Sequence, residues 1–282
     1  MSLIREYAHQ IGKNPQLMGI LSLPPVDRMP RDAAVVILSA GLLHRTGPFR
    51  LNVDLARCLA TAGFATFRLD QAGRGDSNRS EGLTSQETIQ QELLAAGDFI
   101  KAQTGIEKLI IVGLCSGADD ALASTEFHEE IMGVILLDGF AARTWGYYLT
   151  YYLHRLLSPA RLFKFLDTRV RRLRRRIAGA STSRELELPE LPGIRNFPDL
   201  IDARVAFDHL FGRGGAALCI FTSGVGDYYC QHGQLRRNLG LNKADDRLTE
   251  IFYPEANHTY PTVAHREEMV RLAVDWCDKY FE

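Results

Sequence analysis

Along most of the chain, short apolar runs alternate with stretches in which apolar residues recur at helical spacing. The runs "AVVILSA" (34–40), "FATFRLD" (64–70), "KLIIVGL" (108–114), "GVILLDG" (133–139), "ALCIFTSG" (217–224) and "TEIFYP" (249–254) are continuous enough to be strands covered on both faces. Between them the pattern predicts a helix from about Phe49 to Ala62, closed by Gly63. A second begins at the capping pair Thr84 and Glu87 and runs to about Gln103, with Gly105 just beyond it. A last helix runs from about His265 to Phe281. Strands alternating with helices predict an α/β fold, a mostly parallel central sheet flanked by helices.

The alternation breaks from about Phe140 to Gly215, where no strand pattern is visible. "WGYYLTYYLHRLL" places Trp145, Tyr148, Tyr152, Leu153, Leu156 and Leu157 near helical spacing. "RLFKFLDTRVRRLRRRI" continues as a very basic helix, and "ELELPELPGIRNFPDL" is a Pro-rich connector. Residues 1–139 and 216–282 are therefore read as the core, and 140–215 as a helical cap inserted over the carboxyl edge of the sheet, where open α/β sheets bind ligands.

Composition narrows the functional class. The 282 residues carry a formal net charge of −1, so no global field attracts nucleic acid, and none is expected as a partner. Five cysteines, at 58, 115, 219, 230 and 277, include no Cys-x-x-Cys pair, so neither a metal nor an organic cofactor is implied. Reduced thiols, together with an N-terminus lacking an apolar core and no run long enough to span a bilayer, point to the cytoplasm. The sequons at Asn78 and Asn257 and the "GRGDS" at Gly73 are read as chance matches.

The chemistry centres on "IIVGLCSGADDAL" (110–122), a strand that ends in a tight turn and enters a helix. Gly113-Leu114-Cys115-Ser116-Gly117 has the form of a nucleophile turn with Cys in the central place and a serine one position late. Such a turn projects its central side chain above the sheet and faces it to the positive end of the following helix, which favours a thiolate. Cys115 is the predicted nucleophile. The Ser116 N–H is one predicted oxyanion donor. The second is the N–H of Leu42, ahead of Leu43, in "SAGLLHRTG". His44 in the same loop either orients substrate or is a surface residue. Acid and base should follow in the order nucleophile, acid, base. Asp227, after "ALCIFTSG", is the predicted acid, and His258, after "TEIFYPEA", the base. Asp138 at the end of "GVILLD" is the alternative acid. Asp119 and Asp120 are explained by the helix dipole, and Asp70 and Asp76 by fixing their loop.

These features together resemble the α/β-hydrolase superfamily over residues 16–139 and 216–281. The resemblance rests on the turn at Cys115, the D-x-x-G-x-G-D-S loop that begins at Asp70, and the late Asp227 and His258. A narrower similarity, carried by "GLLHRTGPFRLNVDLARCLATAGFATFRLDQAGRGDS", is to the thioesterase-like exosortase-system-associated hydrolases of bacteria, which are linked to exopolysaccharide gene clusters. Cys in place of Ser resembles dienelactone-hydrolase-like members and implies chemistry other than ordinary esterase activity.

Three functions remain open on the sequence. The first is a thioester hydrolase or acyltransferase working through a covalent acyl-enzyme, since exchange of a thiolate with a thioester is nearly balanced in energy. The second is an ester or lactone hydrolase using the same residues, and the third a non-catalytic binding protein. Arg169, Arg171, Arg172, Arg174, Arg175 and Arg176 crowd one short stretch and repel one another unless acids or a partner balance them. Arg172 and Arg175 are candidate contacts for a phosphate-bearing acyl carrier, an acidic carrier protein or an anionic polymer. The alternatives are a solvated helix face, or a membrane-surface contact made by the cap's aromatics and arginines.

Overall fold

A computed structural model describes residues 3–156, 195, 197–242 and 244–281, with only the backbone described for 152–156. Eight strands form one sheet: β1 (Arg5–Ile11), β2 (Leu17–Leu23), β3 (Ala33–Ile37), β4 (Thr66–Leu69), β5 (Lys108–Leu114), β6 (Ile131–Leu137), β7 (Ala216–Thr222) and β8 (Leu248–Tyr253). Their spatial order is β1-β2-β4-β3-β5-β6-β7-β8, with β2 antiparallel to both of its neighbours, β1 and β4, and the remaining pairs parallel. All six predicted strands are present. The sequence reading does not include β1 or β2, and for β1 the reason is physical. β1 is an edge strand of mostly polar residues in which only Ile11 is buried, so it carries no apolar run.

The five central strands β3 to β7 are covered on both faces, as their mostly apolar runs require. α1 (Leu51–Ala62) and the C-terminal helix Val263–Tyr280 pack together on one face, burying Leu51, Leu55, Leu59, Met269, Ala273 and Trp276. α2 (Ser85–Thr104) and α3 (Ser116–Ala123) cover the other. Thr84 and Glu87 form the reciprocal cap at the start of α2, and Gly105 ends it in a left-handed conformation.

Within the stretch assigned to the insertion, α4 (Trp145–Leu156) and α5 (Leu200–Gly212) are described. α5 buries Ala203, Ala206, Phe207 and Leu210 against α3 and the turn 124–126, so its contacts are those of a core helix. The basic segment with Arg172 and Arg175 lies outside the described residues. No helix among the described residues is long and apolar enough to cross a membrane.

The parallel strands deliver the chemistry. The loops leaving the carboxyl ends of β3, β5, β6, β7 and β8 hold residues 39–47, Cys115, Asp138, the 223–229 segment and His258 respectively.

Candidate active site

At the end of β5 the chain reverses through Cys115, whose φ of 57° and ψ of −119° lie outside the regions an L-residue favours. Flanking glycines make the turn feasible. A Cβ on Gly113 would lie 2.0 Å from the Gly117 carbonyl oxygen, and one on Gly117 would lie 2.6 Å from that of Ser39. Cys115 accepts backbone bonds from Ala118 and Asp119 and donates its own N–H to Leu137 of β6 (2.9 Å). These bonds hold the strained turn, and the thiol stands half-buried above the sheet.

The thiol is within hydrogen-bonding reach of His258, the main cause that brings its pKa below the ordinary 9.0; burial opposes this, and the Arg195 charge and the Ser116 N–H assist. The other side of the imidazole is occupied: His258 Nδ1 is 2.8 Å from Asp138 Oδ2. That bond, then the one to Cys115, raises the His258 pKa from 6.5 to about 9. The pair is thus disposed toward thiolate and imidazolium.

The carboxylate beside His258 is therefore Asp138, the alternative acid, and not Asp227. Asp138 is fully buried at the end of β6. Its Oδ1 accepts from the Thr222 N–H (2.6 Å) and its Oδ2 from the Thr222 hydroxyl (2.7 Å). Asp227 sits farther along the loop after β7, where its carbonyl oxygen accepts from Tyr147 (2.6 Å) and Arg143 (2.8 Å). To reach β6, His258 must cross the chain just beyond β7, and it does so at Gly224. A Cβ there would come within 2.6 Å of the His258 Cβ and 2.7 Å of its N.

Around the turn 40–43 the amides sort themselves. Gly41 N–H donates to the Ser116 hydroxyl (2.9 Å) and Leu43 N–H to the Ala40 carbonyl (2.9 Å). Among the described residues of that run, the N–H groups of Leu42 and Ala40 have no acceptor; Leu42 is exposed and Ala40 buried. His44 is exposed, and its ring contacts Thr46 (3.1 Å) rather than the cysteine or histidine. The loop itself is held by Asp70, which is buried, forms an ion pair with Arg45, and accepts from the Arg45 and Asp76 N–H groups (2.5 and 3.0 Å).

One neighbour escaped the sequence reading. Arg195 forks onto Asp119 (2.5 and 3.0 Å) and donates to the Tyr228 hydroxyl (3.0 Å), while its plane lies over Phe197 and Tyr228. Tyr228 in turn donates to the Asp138 carbonyl oxygen (2.8 Å). Burial raises the Asp119 pKa to about 6 even against this partner. Asp119 thus has a specific task beyond the helix dipole. The signal in the sequence was weak: a lone Arg in a connector, many residues from its acid. Beside this group lies a cavity of about 440 Å³, lined by Phe140, Ala141, Phe197, Leu200 and Tyr228, with Asp227 among its walls. No cluster of metal-ligating side chains occurs among the described residues.

No family model matches the chain, and no curated protein matches it. Solved structures do. It is similar to a dienelactone hydrolase from Anabaena variabilis (16% identity, 99% of each chain covered, TM-score 0.57). A proline iminopeptidase from Mycobacterium smegmatis matches at 12% identity over 97% of this chain and 98% of that one, with a TM-score of 0.62. An esterase from Pyrococcus furiosus matches at 13% identity over 98% and 91%, with a TM-score of 0.58. Identities this low speak to architecture, and with the eight-stranded sheet, its strand order and the turn at Cys115 they establish that the chain has the α/β-hydrolase fold.

Proposed function

We propose that the protein is a cysteine-dependent acyl hydrolase acting on thioesters, with Cys115 as nucleophile, His258 as acid and base, and Asp138 as the group that orients and charges the imidazole. The observation that carries this reading is the His258 imidazole, bonded through Nδ1 to the buried Asp138, together with the half-buried thiol that the strained turn presents. The starting state is thiolate and imidazolium. Sγ attacks the acyl carbonyl, and the resulting oxyanion is received by the N–H groups of Ser116 and Leu42. Collapse breaks the substrate C–S bond, and the departing thiolate takes the proton from His258. Water then attacks the Cys115 thioester while His258 removes its proton, and collapse releases the carboxylic acid and restores the thiolate. An acyl acceptor other than water would convert the same sequence into acyl transfer.

A chromogenic thioester assayed beside the matching oxygen ester, with parent, Cys115→Ala and Cys115→Ser, tests the proposal. Hydrolysis of the thioester in preference, abolished in Cys115→Ala, supports it. Preference for the oxygen ester or a lactone favours the second reading, to which the likeness to a dienelactone hydrolase lends weight. Undiminished turnover in Cys115→Ala removes both.

A further inference from the structure

The serine that follows the nucleophile has two functions in one residue. Its N–H faces Sγ. Its hydroxyl, 9% exposed as a residue, does not point to substrate but accepts the Gly41 N–H at 2.9 Å. Gly41 belongs to the loop whose other chemistry-bearing amide, Leu42, would supply the second oxyanion donor. The contact spans the site: Ser116 opens α3 after β5, while Gly41 lies in the loop after β3.

From this juxtaposition we infer that the Ser116 hydroxyl is a positioning residue for the oxyanion hole, clamping the 40–43 turn so that Leu42 rather than Gly41 presents its amide. The inference rests on the acyl-transfer reading above. Three features support it. Gly41 has a φ of 51°, a left-handed conformation that leaves the turn dependent on its neighbours for direction. With the Gly41 amide taken up by Ser116 and the Leu43 amide by Ala40, the amides left without an acceptor are those of the buried Ala40 and of Leu42, and Leu42 is the one at the exposed tip of the turn. The rest of the loop is pinned independently, through Ser39 Oγ to the Leu69 carbonyl (3.0 Å) and Arg45 to Asp70, so the Ser116 contact is the fastening at its tip. A hydroxyl at residue 116 therefore serves geometry, and the serine one place late in the turn is not a displaced nucleophile.

Ser116→Ala removes the hydroxyl and keeps the backbone N–H. Two reactions of Cys115 then separate the roles. Alkylation by iodoacetamide needs the thiolate but forms no oxyanion; thioester turnover needs both. The expected result is a fall in kcat of about 10-fold or more, by comparison with removal of a whole oxyanion donor, with KM and the pH dependence of alkylation within twofold of parent. Inhibition by an aldehyde analogue of the acyl group, which forms a tetrahedral adduct, should weaken in step with kcat. Turnover within twofold of parent overturns the inference. So does a parallel loss of alkylation, which would assign the hydroxyl to the thiol or to folding. If Cys115→Ala retains turnover, it is the acyl-enzyme reading that fails, and the two failures are distinct.

Discussion

His258 and Asp138 meet at 2.8 Å, Nδ1 to Oδ2, although one lies in the loop after β8 and the other at the end of β6. The intervening β7 contributes Thr222, whose N–H and hydroxyl take up the remaining capacity of the carboxylate. Asp138 is thus fully buried and held by three hydrogen bonds. Asp138→Asn keeps the shape and loses the charge. Turnover should drop roughly 10³-fold or more, as when the orienting acid of a triad is neutralised, whereas Asp227→Asn should stay within a few-fold of parent. Steady-state kinetics on the two variants decide between the acids; equal losses would contradict the assignment.

The same pair sets a pH dependence. Cys115 is held below 9.0 chiefly by His258, and His258 is raised to about 9 chiefly by Asp138. The productive form carries a thiolate and a protonated imidazole, so kcat/KM should climb as the thiol ionises and decline near pH 9 as His258 loses its proton. Both limbs belong to the coupled pair. In Asp138→Asn the alkaline limb should move to lower pH, because the largest cause raising the imidazole has gone. A pH profile of the parent without an alkaline decline would count against the ion-pair state.

How much of this was legible beforehand follows from which interactions are local. The turn at Cys115 was readable because its demands fall within five consecutive residues: two glycines and a strand before them. The Thr84–Glu87 cap was readable for the same reason. Asp138 and Asp227 occupy equivalent places in sequence logic, each an acid just past an apolar strand and each between nucleophile and histidine. What separates them is the contact of His258 with the end of β6, made between residues 120 positions apart, which no linear pattern encodes. Arg195 was invisible on the same grounds, since its partners Asp119 and Tyr228 flank it at great sequence distance.

The crossing of His258 over Gly224 yields a steric prediction. Gly224→Ala puts a methyl 2.6 Å from the His258 Cβ and 2.7 Å from its N, where backbone rather than a flexible tip must yield. Displacement of the histidine by even a fraction of an ångström disturbs both of its hydrogen bonds. Activity should fall at least about 10-fold and stability by about 1–3 kcal/mol, the usual cost of overpacking. Thermal unfolding with parallel kinetics tests it, and an unperturbed enzyme would mean that the loop after β7 yields freely.

Arg195 gives an electrostatic prediction. Its charge is the second favourable influence on the Cys115 thiolate after His258, and it is also the partner of the largely buried Asp119. Arg195→Gln should therefore raise the Cys115 pKa, slowing alkylation near neutral pH while leaving the rate in alkali unchanged. It should also destabilise the fold by about 3–5 kcal/mol, because it strands a buried carboxylate. Asp119→Asn with Arg195→Gln should recover much of that stability without restoring the thiol pKa. Recovery of both would show that Arg195 acts on the thiol through packing rather than through charge.

Glu92 lies behind the site, and its prediction concerns stability alone. It accepts from the Ala72 N–H (2.5 Å) and from Gln71 (3.2 Å), which also donates to the half-buried Asp120 (3.2 Å). Burial raises its pKa from 4.5 to about 7, against the hydrogen bonds and Arg74, which lower it. The sign follows from proton counting. Between pH 4.5 and 7 the folded chain holds a proton here that the unfolded chain has released, so stability falls as pH rises across that window and levels off above it. Glu92→Gln has no proton to lose. Relative to parent, the variant should gain with rising pH, by up to about 3 kcal/mol between pH 4 and 8 at one pKa unit per 1.36 kcal/mol. Urea unfolding of both proteins at a series of pH values measures the difference directly. A constant difference across the series would mean that Glu92 is ionised in the fold, with Gln71, the Ala72 amide and Arg74 sufficient to hold its charge.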